Sequence, residues 1–154
     1  MKARTILASL AVYLGAAALA LAADSNLGTW KLNEAKTKLS PGAPKNTTVI
    51  YAAVGDMVKV TTDGVDGDGK PSHSEWTGKY DGKDYPVTGD PGSDKGWYKR
   101  VDNSTVEFAR KKGDKVIASG KVVVAADGKS RTVTVNGTNA KGEKVSATTV
   151  YDKQ

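Results

Sequence analysis

Read as a pattern of apolar and polar positions, the chain from residue 27 to its end is a succession of short alternating runs separated by Gly- and Asp-rich turns. Successive side chains on a strand point to opposite faces. In residues 27–32, Gly28, Trp30 and Leu32 therefore share one face, and Leu27, Thr29 and Lys31 the other. A Gly two positions before a Trp at the head of such a series fits the first strand of a barrel. The Gly admits a close backbone approach and the Trp plugs an end. Similar runs occupy 47–54, 57–62, 72–80, 84–88, 96–101, 105–111, 115–124, 130–137 and 144–151. Gly55-Asp56 between two such runs is a hairpin signal. Pro86 removes a ladder donor, which places its run at an edge or a gap. Gly120 is expected to mark a bulge. Residues 33–39 can hold one helical turn before Ser40-Pro41-Gly42 ends it, and a crossover or lid over one end is expected there.

This pattern predicts an all-β, up-and-down antiparallel meander. With no helices to cover a face, a meander this long buries its interior best by closing on itself, which also removes its edges. A barrel of about eight to ten strands follows, with an open sandwich as the alternative.

The first residues have another character. Met1-Lys2-Ala3-Arg4 is basic, an apolar Ala- and Leu-rich run follows, and Ala20-Leu21-Ala22 is a small-x-small cleavage pattern. Residues 1–23 thus read as a secretory signal peptide and 24–154 as a single β-barrel domain, periplasmic or secreted. An uncleaved anchor is the alternative, and the run is short for one. After cleavage no membrane span is expected. The chain has no Cys, so no lipoprotein anchor and no disulfide is possible, and the domain must rely on its own core. That core draws on Val, Thr, Tyr and Trp, which favour strands. The formal charge is +6, and it falls when Lys2 and Arg4 leave. The remaining Lys residues are interspersed with Asp in turns, so a solvated surface is expected rather than a nucleic-acid stripe, and the protein should be a monomer.

Candidate chemistry is sparse. His73 is the only His. Its neighbours Ser72 and Ser74 point to the opposite face, so a nucleophile would have to come from another strand. With Gly64 as position one, Asp66, Asp68, Gly69 and Glu75 approach a calcium-loop spacing. The first ligand is missing, however, and Asp-Gly sequences are ordinary turn chemistry, so a turn is expected instead of a metal site. No catalytic residue and no cofactor is expected. The aromatic residues are the best lead. Trp30, Trp76, Trp97 and Tyr151 are the expected ligand-binding residues, lining a cavity for a small apolar or amphipathic molecule. A barrel filled by its own side chains, acting through its surface, is the competing reading.

Gly28-Thr29-Trp30 near the start and Val150-Tyr151-Asp152-Lys153 at the end resemble the calycin barrels, the lipocalins and fatty-acid-binding proteins. That resemblance implies a lipocalin-like barrel that binds a small ligand. Fatty-acid-binding proteins often carry Arg-x-Tyr on the last strand, where this chain has Thr149-Val150-Tyr151, so only Tyr151 carries over. The chain also resembles uncharacterised exported proteins of soil and environmental bacteria. The shared segments are Gly28-Thr29-Trp30-Lys31-Leu32-Asn33 and Asp81-Gly82-Lys83-Asp84-Tyr85-Pro86-Val87. Some small calycin-like barrels inhibit proteases with the segment before the first strand. By that resemblance residues 23–26 are the corresponding stub, and an exported inhibitor is the alternative function.

Overall fold

The computed structural model describes residues 24–154. The signal peptide expected at 1–23 lies outside the described residues. The strands are β1 (Gly28–Leu32), β2 (Lys38–Leu39), β3 (Lys45–Val54), β4 (Met57–Val65), β5 (Pro71–Gly78), β6 (Tyr85–Thr88), β7 (Lys95–Arg100), β8 (Thr105–Lys112), β9 (Lys115–Val124), β10 (Ser130–Thr138) and β11 (Lys144–Lys153). From β3 to β11 each strand pairs antiparallel with the next, and β1 pairs with both β3 and β11. The meander therefore closes into a ten-stranded barrel, with β2 as an extra short strand on β11. Tight hairpins make this path possible. Gly55 (φ 62°) and Gly113 (φ 58°) hold the left-handed conformation that such turns require and that costs Gly least.

Three local expectations are corrected. Residues 33–44 form neither a crossover nor a lid. After one 3-10 turn at Glu34–Lys36, the segment stays beside β11. Asn33 N–H donates to Val150 O (2.8 Å) and Ser40 N–H to Ser146 O (2.9 Å), so the first stave simply continues. The β4 strand runs further than expected, through Val65, and β5 starts at Pro71 and ends at Gly78 instead of running over 72–80. Asp66 Oδ1 accepts from the backbone N–H groups of Asp68 and Lys70, both at 2.9 Å, and this cap tightens the acidic loop enough for the ladder to continue. Gly120 is in regular register with Phe108 and Val135; the irregularity falls between Arg110 and Lys111 instead. What demands Gly120 is the carbonyl of Thr134 on β10, which occupies the place of a Cβ. Pro86 sits in the thinnest part of the wall, where β6 makes two pairs with β5 and two with β7.

Registered partners share a face, so the inward set can be followed around the barrel. Trp30 faces Val49, Tyr51 faces Val60, and Val60 faces Trp76. Trp76 faces Val87, Tyr98 faces Phe108, and Arg131 faces both Val124 and Tyr151. The core cluster is built from these residues. Trp30 is fully buried and Trp76 is 1% exposed. Residues 24–26 close the end beside them. Asp24 and Asn26 are buried, and Asp24 Oδ1 pairs with Arg100 Nη2 at 2.9 Å. Residues 24–26 are thus packed into the barrel end.

Candidate functional site

The lumen has two unlike halves. Toward the closed end it is filled by rings. Trp76 lies 4.5 Å from Tyr98, Tyr98 5.7 Å from Phe108, and Tyr51 stands edge-on to Tyr98 at 6.4 Å. The polar handles of three inward rings are already committed to backbone carbonyls. Trp30 Nε1 donates to Asn26 O (2.7 Å), Trp76 Nε1 to Gly96 O (2.9 Å) and Tyr151 Oη to Asn46 O (3.0 Å). Such bonds lock ring orientation at little cost, because a buried donor left alone costs about 1–3 kcal/mol. Toward the other end, where β4, β8 and β10 finish, the inward positions are small. Thr62, Ser72, Ser74, Gly120 and Ala118 face inward there and remain half-buried, as do Val135 and Val145. We call this end the mouth.

The structure brings three of the four expected ligand residues into one core and separates the fourth. Trp30, Trp76 and Tyr151 are inward and buried. Trp97 points the other way, because its neighbour Tyr98 takes the inward position of β7. On the outer face Trp97 is registered with Ala109, which is only 1% exposed. A depression of about 360 Å³ lies on this outer face, and one of about 440 Å³ lies where the outer face meets the mouth, lined also by Ala118 and Val145. Ser119 and Asn136 border both, Trp97 and Lys121 border the smaller, and Ser40 and Ser146 the larger.

Two inward residues were missed from the sequence: Arg110 and Arg131. Each continues an apolar alternation, Val106-Phe108-Arg110 on β8 and Arg131-Val133-Val135 on β10. A charged residue in phase with an inward apolar series was the available signal. Arg131 is 2% exposed. Its guanidinium lies 4.7 Å from the Trp30 ring, 4.7 Å from Tyr51 and 5.1 Å from Tyr151, while its Nε and Nη1 have no hydrogen-bond partner. Arg110 Nη2 donates to Tyr98 Oη (3.1 Å), and its buried Nη1 is unpartnered. Burial pushes the Tyr51 phenol far above its ordinary value, with Tyr98 adding to the rise; both arginines oppose it.

The remaining candidates lie outside the lumen. His73 is exposed on the outer face, with Nδ1 2.6 Å from Asp63 Oδ1 and Nε2 3.7 Å from Glu75 Oε1. The Asp63 hydrogen bond, with smaller contributions from the charges of Asp63 and Glu75, raises the imidazole pKa. The native pairing therefore favours the protonated ring. Its stabilisation is complete below the ordinary imidazole pKa and is lost as pH rises through the raised one. NMR titration of His73 should give a midpoint above about 6.5, and Asp63→Asn should bring it down. A midpoint at or below the ordinary value would contradict the pairing. Glu75 is held below the usual carboxylate range first by its hydrogen bond with Lys59. Asp66 is occupied as a turn cap, and Asp68 faces Lys141 at 3.6 Å.

No family model matches the chain, and no curated protein matches it in sequence. Solved structures do. Rv2717c from M. tuberculosis superposes with a TM-score of 0.55 at 16% identity, covering 92% of this chain and 99% of that one. A redesigned β-barrel, mFAP1, bound to DFHBI, gives 0.46 at 13% identity, covering 86% and 98%. At these identities the likeness to Rv2717c concerns the fold, a closed β-barrel.

Proposed function

We propose that this chain is an exported, non-catalytic binding protein that takes a small apolar or amphipathic molecule into the mouth half of its lumen. The observation that carries this reading is the asymmetry of the inward face. Rings fill the closed half, while the mouth half is lined by Ser, Thr, Gly, Ala and Val that leave its wall half-buried. A barrel needing only a core could fill both halves with large side chains. Trp76, Tyr98 and Phe108 form the floor on which an apolar body would rest, Trp30 and Tyr151 belong to the support beneath, and Trp97 has no part in the lumen. The basic, apolar leader at 1–23 supports export. His73 pairs with the carboxylates Asp63 and Glu75 on the outer face, apart from the lumen.

The test is thermal unfolding of residues 24–154 with a panel of alkyl and aromatic amphipaths, together with Ala118→Phe, which fills the mouth half with a ring. Ligands that bind the native state raise Tm. At least one class should do so, and Ala118→Phe should remove the rise while the variant still folds. No rise with any class, or a rise indifferent to Ala118→Phe, would overturn the lumen reading. The second outcome would favour action through the outer depression beside Trp97, the specific observation behind a surface function.

A further inference from the structure

Of the three tryptophans, Trp97 is the one that the core does not use. It stands on the outer face of β7, and the ladders carry its row across four more strands. Trp97 is registered with Ala109, Ala109 with Ser119, Ser119 with Asn136 and Asn136 with Ser146. Neighbouring strands lie about 4.8 Å apart, so this row from β7 to β11 is about 19 Å long. Ala109 projects only a methyl group between Trp97 and Ser119, so no large side chain interrupts the row there. The depression of about 360 Å³ lies along it, and Glu107, Lys121 and Thr134 also line that depression.

The polar groups here are unclaimed. Elsewhere on the surface, side chains meet one another: Lys59 pairs with Glu75, Lys79 with Asp56 and Lys111 with Asp84. Glu107 stands in register between Lys99 and Lys121, yet it forms an ion pair with neither among the described residues. Trp30 and Trp76 give their indole N–H groups to carbonyls. The Trp97 N–H, the Ser119 and Thr134 hydroxyls and the Asn136 amide have no such partner among the described residues. The row thus offers one ring face and then a series of donors and acceptors. One acid and one base line the depression, so its charges balance. An apolar ligand would strip water from these polar groups and return no hydrogen bond. An ion would find no excess of opposite charge.

We propose that this outer row binds a neutral oligosaccharide, with one pyranose ring stacked on Trp97 and the following rings running over Ser119 and Asn136 towards Ser146. A pyranose has the matching two-sided chemistry. Its C–H groups form an apolar, weakly positive face that suits the negative face of an indole. Its rim of hydroxyls both donates and accepts, so it can serve carboxylate, ammonium, amide and hydroxyl groups together. The length of the row suits several linked rings better than one. This site does not depend on the lumen, and it gives the surface reading above a ligand class.

Cellohexaose, with glucose as its one-ring counterpart, tests this by calorimetry and by the indole N–H signals in NMR spectra. The protein is residues 24–154, which carry the whole closed sheet. Maltohexaose and chitohexaose extend the test to another linkage and another substituent. At least one of the three hexasaccharides should shift the Trp97 signal and leave those of Trp30 and Trp76 in place. It should bind about tenfold tighter than its single sugar, and Trp97→Ala should weaken it by about the same factor. Asn136→Ala, at an exposed position, should weaken it about threefold. No shift of Trp97 with any hexasaccharide, or an affinity indifferent to Trp97→Ala, overturns the site. A shift of Trp76 instead would put the sugar in the lumen and overturn it equally. A single sugar that binds as tightly as the hexasaccharide overturns the extended row. If Trp97→Ala does not fold, Asn136→Ala combined with Ser119→Ala, both exposed, gives the same comparison. None of these outcomes alters the rise in Tm with amphipaths, which reads the lumen separately.

Discussion

Trp76→Ala should lower unfolding free energy by about 3–5 kcal/mol, the range for deleting a large buried ring. Trp76 is 1% exposed, touches Tyr98 and Tyr85, and donates to Gly96 O, so its loss leaves a hole lined by aromatic surface and an unpaired carbonyl. Trp97→Ala is the control, because that ring is outward and half-buried; its cost should be about 1 kcal/mol. Urea denaturation of both variants checks the inward and outward assignment. Equal losses would show that Trp97 is as much part of the core as Trp76, contrary to the register of β7 with β8.

Gly120→Ala should cost about 1–3 kcal/mol. The added methyl would meet the carbonyl of Thr134 in the β9–β10 ladder, and backbone cannot swing aside as a side chain can. The two strands must part locally, at the point where β9 borders the mouth half of the lumen. Ser119→Ala, one residue away and exposed on the outer face, should stay within about 0.5 kcal/mol. A Gly120→Ala variant as stable as wild type would mean that the strands separate freely there.

The architecture was legible because strand alternation is local. Trp30 and Trp76 fall in phase with Gly28 and Gly78 on their own strands, and turn residues such as Gly55-Asp56 mark where each strand reverses. Closure followed from a general argument about edges, and the β1–β11 pairing matches it. Three features were not legible, each for a reason that spans more than one strand. Whether Trp97 or Tyr98 points inward depends on the phase of β7 relative to β8. The path of residues 33–44 depends on hydrogen bonds to Val150 and Ser146 at the far end of the sequence. The inward arginines were hidden by type: a charged residue is normally read as surface, and phase with Val106 and Val133 is what places Arg110 and Arg131 inside. The last strand lacks an Arg beside Tyr151, and Arg131 comes from β10 to stand opposite it.

The seam between β1 and β11 fixes an order of events in time. The pairings from β3 to β11 join strands that follow one another along the chain and can zip as soon as they exist, but Trp30 meets Lys153, and Leu39 meets Ala147, only when the whole domain is present. Until then β1 and β10 present raw edges, the kind that recruits strands from other chains. The final ten residues therefore act as a latch. A nascent or truncated chain lacking them can hold most of its hairpins and still be sticky, whereas the finished chain retires two edges in one step, at the loop-closure cost that makes long-range pairing slow.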